Sequence, residues 1–449
     1  MPVVLATDLL VWLLVSAFAV YAGYCRRRPH LAAPWARVFR SPAAVAASVV
    51  LCAYISIGLL DSLHFRPALE PKLASDPAAF SGEVLSVLDL PLARLRGRAE
   101  KTYSAPLATR SDSKEQLELP GGKVARAYPR LKYGGAHLKD EADWAGDVAA
   151  KAAGGIGVAM ALILVFAPVF SFLRKRRPDI PWRAAMIALA AILLLAGPAF
   201  ALSSGYHVLG TDKVGQDVFY LALKSVRTSL VIGTLTTLVL LPLGIALGTA
   251  AGYFKGRVDD LIQYVYTTIN SIPGVLLIAA AVLMLQVFLE KHADWFATAV
   301  QRADMRLLFL CIILGLTSWT GLARLLRGET LKLSELEYIQ AAHAFGVRGA
   351  RILARHVLPN VSHIVIIAMV MDFSGLVLAE AVLSYVGVGV DPSTNSFGTM
   401  INAARLEMSR DPVVWWSLAT AFSFMFALVL AANLFADAVR DGFDPRVRV

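Results

Sequence analysis

Two carboxylates, Asp372 and Glu380, stand eight residues apart in an apolar stretch of about 361–386. At helical pitch that interval returns both side chains to broadly the same side. Carboxylates at such depth are costly and face a bundle interior or water, so they belong either to a translocation or gating path or to polar glue between helices. No motif surrounds Asp372, and packing is the stronger reading for it. A second set, Gly210, Asp212, Gly215 and Asp217, mixes residues that permit turns with carboxylates that accept bonds from nearby backbone donors. Asp217 is placed to cap the helix that follows. Metal and disulfide chemistry find no support, because Cys25, Cys52 and Cys311 lie in or beside apolar segments at no ligand spacing. Nor does the chain carry a phosphate loop. Gly121-Gly122-Lys123 is followed by Val124, where such a loop needs Ser or Thr.

The most informative stretch is Ser334–Pro359, which is polar and set between two strongly apolar segments. Ser334 and Glu337 have the spacing of a capping box. Leu336, Ile339, Gln340 and His343 then follow at helical spacing. Gly346 falls where a helix needs positive φ to stop. A second helix over about 348–357 is expected to end at Leu358-Pro359, where the ring and the missing N–H interrupt it. The whole reads as a compact helical knob suited to a groove on a soluble partner.

These residues need a scaffold, and composition says which. The chain is 57% hydrophobic with mean hydropathy +0.61, too apolar for an ordinary soluble core. Nine windows long enough to span the hydrocarbon layer fall at about 3–24, 43–60, 155–173, 183–202, 228–252, 270–289, 307–322, 361–386 and 413–436. The net charge of +10 reflects basic residues beside these windows, which points to membrane orientation and away from nucleic acid. Arg26–Arg28, Arg174–Arg177, Lys255, Arg257 and the basic residues of the 322–360 loop share one side if the N-terminus is periplasmic and the C-terminus cytoplasmic. Lys291, Arg302 and Arg306 fall on the other side. The first window lacks a basic start and a cleavage site, so a retained span is expected. Segment 61–154 then lies outside, as a small folded cap or a loose insert, with turns at Gly121-Gly122 and Gly134-Gly135. Gly-rich 243–252 allows close approach between helices. Pro273 fixes entry into the sixth window, and Trp415-Trp416 have the character of interfacial aromatics.

Gln340-Ala341-Ala342, Gly346 and His356-x-Leu358-Pro359 resemble the EAA loop of ABC-importer permeases, with Gln340 where Glu is usual. Leu209-Gly210-Thr211-Asp212-x-x-Gly215-Gln216-Asp217 resembles the LGTDxxGRD element of the oligopeptide/dipeptide/nickel permease family, C-type subunit. Asn270-Ser271-Ile272-Pro273, the Glu380–Gly389 run and the tail Ala438–Arg446 are similar to further elements of that family, so the resemblance covers roughly 203–449. It implies an all-α, polytopic membrane helix bundle with a type I ABC-importer permease core. It also implies coupling to the ATPase through Glu337, Gln340, Ala341, Ala342, Gly346, His356, Leu358 and Pro359. The implied partners are a second, B-type permease, two ABC ATPase subunits and a periplasmic solute-binding protein, in the bacterial inner membrane. This chain would bind no cofactor, and ATP would sit on the partner subunits.

The family's permease has six spans, whereas four apolar windows precede the end of the LGTD-like turn here. Either 43–60 is the first core helix with 61–202 inserted, or 183–202 is, with everything upstream an extension. The second keeps six consecutive spans together. The expected layout is therefore 1–60 as extra helices, 61–154 as the insert, 155–182 as an extra helix with a basic loop, and 183–449 as the core. The expected function is that of a permease subunit for peptides or similar solutes, not an enzyme. Two rivals are an ion-coupled secondary transporter, which needs paired ionisable groups and interrupted helices in both halves, and a membrane-anchored receptor or scaffold using 61–154.

Overall fold

The computed structural model describes residues 1–68, 80–119, 123–296 and 298–444, so the expected Gly121-Gly122 turn and the end of the tail at Pro445-Arg446 lie outside the described residues. In chain order the elements are β1 (Pro2–Val3), α1 (Ala6–Arg26), α2 (Pro29–Val38), α3 (Pro42–Asp61), β2 (His64–Phe65), β3 (Leu85–Ser86), α4 (Ala93–Gly97), β4 (Glu115–Leu119) and β5 (Lys123–Ala127). There follow α5 (Trp144–Arg176), α6 (Trp182–Leu202), α7 (Val218–Phe254), α8 (Gly256–Ser271), α9 (Gly274–Lys291), α10 (Ala299–Ser318) and α11 (Thr320–Ser334). The last are α12 (Glu337–Ala344), α13 (Gly349–Ile352), α14 (Leu358–Val386), α15 (Phe397–Arg405) and α16 (Trp416–Phe443). Among the described residues, nine helical stretches are long and apolar enough to cross a membrane, matching the nine expected windows.

The residues cluster into two compact units that do not follow the chain's linear order. Unit 1 comprises 1–4, 39–229 and 392–431. Here β1, β2 and β3 form a small antiparallel sheet, Pro2 opposite Phe65 and His64 opposite Ser86, and β4 pairs antiparallel with β5. The described residues of segment 61–154 therefore form a folded cap. Its Leu88, Leu92 and Leu95 bury against Phe219 and Leu223 at the start of α7. Below it α5 and α6 pack side by side, with Gly155 and Gly197 in near backbone contact, since a Cβ on either would meet the other's carbonyl oxygen at 2.6 Å.

Unit 2 comprises 5–38, 230–391 and 432–449. Its core has two parts. One gathers Ile232, Leu235, Leu307, Leu310, Leu314 and Leu383; the other gathers Leu322, Leu326, Ile339, Ile352, Val357 and Val361. The seam between α7 and α11 follows the expected glycines. Cβ atoms at Gly248 and Gly252 would meet the Ala323 carbonyl at 2.5 Å and the Arg327 carbonyl at 2.7 Å, so only hydrogen fits at those two turns, while one at Gly244 would press on the Leu322 side chain. The N-terminal α1 is docked rather than free. Its Thr7 N–H and hydroxyl both donate to the buried Asp304 carboxylate of α10, which sits at the helix's positive end. Pro34 and Val38 of α2 close over Gly442, and Trp35 meets Phe443 edge-on.

Candidate functional site

The 334–359 loop is helical, but not with the expected caps. Ser334 Oγ donates to the Leu331 carbonyl within its own helix, and Leu336 is the N-cap of α12 without a side-chain bond. The capping box is thus overturned: α11 runs through Ser334, so its hydroxyl is spent one turn back. The Gly346 turn holds. At φ +75° it sits in the left-handed region, its N–H donates to the His343 carbonyl at 2.9 Å, and the Val347 N–H reaches Ala342 at 3.1 Å. That pair of bonds is a Schellman stop.

The expected proline stop is overturned as well. Helix continues from α13 through Pro359 into α14, with a π-helical turn at Leu353–Val357 and Pro359 in the first turn of α14. The wide turn shifts the hydrogen-bond register, so the ring no longer collides with a carbonyl four residues back. The loop is consequently anchored on one side in the hydrophobic core. Ile339, Ile352 and Val357 are buried beneath it, and Ala342 packs against the same core. Glu337, Gln340, Ala341, Leu358 and Pro359 remain exposed, and the Phe345 ring at the tip is 88% exposed. His356 packs at the edge of the Tyr338 ring, and Asn360 Nδ2 donates to both the Tyr338 hydroxyl and the His356 carbonyl. Arg327 of α11 grips Asp259 of α8 through two bonds of 2.6 Å, which holds the Asp259 carboxyl below its ordinary range.

Glu380 is fully buried. It accepts the Ser384 hydroxyl at 2.6 Å, and Ser384 Oγ in turn accepts the Val390 N–H, just past the left-handed Gly387 that ends α14. This geometry supports the helix end. Asp372 is half-buried two turns earlier on the same helix.

In unit 1 the turn at 209–217 forms as expected. Gly210 and Gly215 have φ +73° and +77°, Asp212 accepts the Val214 and Gln216 N–H groups, and Asp217 accepts the Phe219 N–H to cap α7. What sequence reading missed is the buried ionic centre behind it. His207 Nδ1 lies 2.7 Å from Asp217 and its Nε2 3.3 Å from Glu100 of the cap, all three nearly inaccessible. Glu100 also accepts the Lys132, Tyr133 and Gly134 N–H groups. Burial raises the Glu100 pKa, but the His207 bond and these backbone donors outweigh it and hold the group at about 2. Burial lowers that of His207, but Asp217 and Glu100 outweigh it and lift the imidazole to about 9. A second centre joins the α7 start to the cap. Lys224 Nζ lies 2.5 Å from Asp61 and 3.2 Å from Asp89, and the Tyr220 hydroxyl donates to Asp89. Trp416, expected at the interface, is instead buried and donates to the Thr211 carbonyl at 2.9 Å. Asp217 is only ten residues from His207, but Glu100 and the carboxylate partners of Lys224 lie 107 to 163 residues away in sequence, beyond any local pattern.

Nine helical stretches fit to cross a membrane, with a helical elbow between two of them, define a multi-pass membrane protein. Residues 244–449 match the family described as binding-protein-dependent transport system inner membrane component. The chain is 30% identical over 285 residues to the oligopeptide transport system permease protein of Mycobacterium tuberculosis, covering 59% of this chain and 91% of that one. It is 32% identical over 247 residues to the glutathione transport system permease protein of Pectobacterium atrosepticum (55% and 74%). It is 29% identical over 245 residues to the dipeptide transport system permease protein of Bacillus subtilis (55% and 70%). The chain belongs to this family of inner-membrane permease components, which work with ATPase and binding-protein partners.

Proposed function

We propose that this chain is the C-type permease subunit of a bacterial ABC importer for peptides or similarly sized solutes, and that a separate ATPase grips the 334–359 loop. One observation carries the reading: a loop whose Ile339, Ile352 and Val357 are sunk in the core while Phe345 and neighbouring side chains face outward. Such an elbow transmits a push without bending, and tilts the spans it joins between two states. Glu337, Gln340, Ala341, Ala342, Gly346, His356, Leu358 and Pro359 form its contact and hinge residues. ATP is bound and hydrolysed on the partner chains, and this chain is not itself an enzyme. The other partners are a B-type permease and a periplasmic solute-binding protein. The clustering of Arg26–Arg28, Arg174–Arg177 and the loop's arginines supports a cytoplasmic loop and C-terminus, with the N-terminus and cap outside. We take α6 as the first core helix, because 59% of this chain accounts for 91% of the mycobacterial permease, which leaves α1, α3 and α5 as additions. Glu380 serves the end of α14 more than the solute path.

Gly346→Val tests the reading. A Cβ at 346 would meet nothing within 4 Å, so the substitution acts only through φ +75°, a strain of about 1–3 kcal/mol for a branched residue. Membrane insertion is expected to stay normal while transport in proteoliposomes falls at least about tenfold. Gly346→Asn, which tolerates this conformation, is expected to retain most activity. Normal transport by the valine variant would remove the coupling role.

A further inference from the structure

Lys255 joins α7 to α8 with φ 52° and ψ −170°, a backbone region that is essentially the preserve of glycine. A lysine held there is an unusual choice, and its side chain gives the reason. Its Nζ lies 2.5 Å from Oε1 of Glu335, the residue joining α11 to α12. The other carboxylate oxygen of Glu335 accepts from Gln340 Nε2 at 3.4 Å, and the Glu335 carbonyl accepts from the same nitrogen at 3.2 Å. The three side chains run from the α7–α8 corner across to the exposed face of α12. Lys255 and Gln340 line an open cleft of about 660 Å³ together with His343 and Gly346.

This arrangement also explains the departure at position 340. A glutamate there could not donate and would turn a like charge toward Glu335, whereas glutamine binds it. The pair itself is exposed, 46% at Lys255 and 63% at Glu335, so it adds little to stability. Its effect lies in orientation.

We propose that Lys255, Glu335 and Gln340 form an ionic latch that fixes the first helix of the loop against the α7–α8 corner, which makes Lys255 a positioning residue for the docking ATPase. The latch rests on the coupling reading of the loop given above. The backbone strain at 255 persists because glycine, which would relieve it, cannot supply the ammonium.

The test uses the complete complex, co-expressed with its partner permease and ATPases and reconstituted in proteoliposomes, and reads binding-protein-stimulated ATP hydrolysis. Lys255→Met, Lys255→Gly and Gln340→Glu are each expected to lower the stimulation roughly fivefold, and the swap Lys255→Glu with Glu335→Lys to restore it to within about twofold. Lys255→Gly should insert at wild-type level or better, since it removes strain, and yet lose stimulation. Wild-type stimulation in the glycine or methionine variant overturns the latch. So does a charge swap no better than Glu335→Lys alone. If the unaltered chain co-purifies no ATPase, the coupling reading fails first and the latch falls with it, an outcome distinct from a coupled wild type with indifferent variants.

Discussion

Around His207 the chain joins distant segments with buried charge, whereas along α7 and α11 it joins them with missing side chains. In the first case an imidazole stands between Glu100 and Asp217, and the Lys132–Gly134 backbone donates to the same Glu100. In the second, Gly248 and Gly252 let two backbones meet, at the carbonyls of Ala323 and Arg327. The difference follows from the surroundings. A cap folding in water can be directed by polar groups whose partners must match, and a buried ionic group favours one arrangement because every alternative strands a charge. Two spans inside hydrocarbon gain nothing from hiding apolar surface from lipid, so close packing must supply the attraction.

His207→Ala should break the first mode outright. It strips the cation from between two buried carboxylates, and loss of one partner of such a group costs about 3–5 kcal/mol. Amide hydrogen exchange at 132–134 should accelerate, while exchange in α11 stays as it was; unchanged protection at 132–134 would show that the centre does not hold the cap. A pH series refines this. The His207 value rises from 6.5 to about 9, so its stabilisation is full below pH 6.5 and is lost as pH climbs through 9. The Glu100 value falls from 4.5 to about 2, so its share is present above pH 4.5 and lost as pH drops through 2. Cap protection is therefore expected to peak between about pH 4.5 and 6.5 and to fall toward pH 9.5, by about 3 kcal/mol in all. His207→Gln should flatten the alkaline limb.

Gly248→Ala attacks the second mode. The added methyl would meet the Ala323 carbonyl at 2.5 Å, backbone against backbone, with no flexible side chain to yield. Overpacking of this kind costs about 1–3 kcal/mol, read as a lower thermal midpoint in detergent. The cap's exchange should be indifferent to it. If instead the cap loosens and α11 does not, the two modes are not separable.

The seam was readable in advance because a run of glycines in an apolar span has few other uses, and the nine spans were readable from length and hydropathy alone. The same holds for the turn at 209–217, whose glycines and aspartates act within a few residues of one another. Other elements left signals that were passed over. In α8, Val258, Leu261, Ile262, Val265 and Tyr266 repeat at helical spacing, and Ser396 begins α15 with its hydroxyl accepting the Thr399 N–H. The two loop errors have a different source. Ser334 fits a capping pattern as well as it fits a helix interior, and Pro359 reads as a stop unless the preceding turn widens, which depends on how Val357 and Val361 bury. His207, Glu100 and Lys224 were illegible for a further reason: a buried ion is recognised by its partner, and only the fold chooses partners more than a hundred residues apart.

Trp416→Phe measures the smallest contribution to the cap-side mode. The indole N–H donates to the Thr211 carbonyl, and the ring lies over Gly210, where a Cβ would meet it at 2.8 Å. Phenylalanine keeps most of the apolar contact and removes only the donor, leaving a buried carbonyl short of one partner, at a cost of about 1 kcal/mol. The variant should therefore insert normally, lower the thermal midpoint slightly, and raise exchange at the Asp212 and Gln216 amides, which belong to the turn that this bond steadies. A loss as large as that of His207→Ala would mean that the tryptophan, and not the charged centre, locks the turn to the last span.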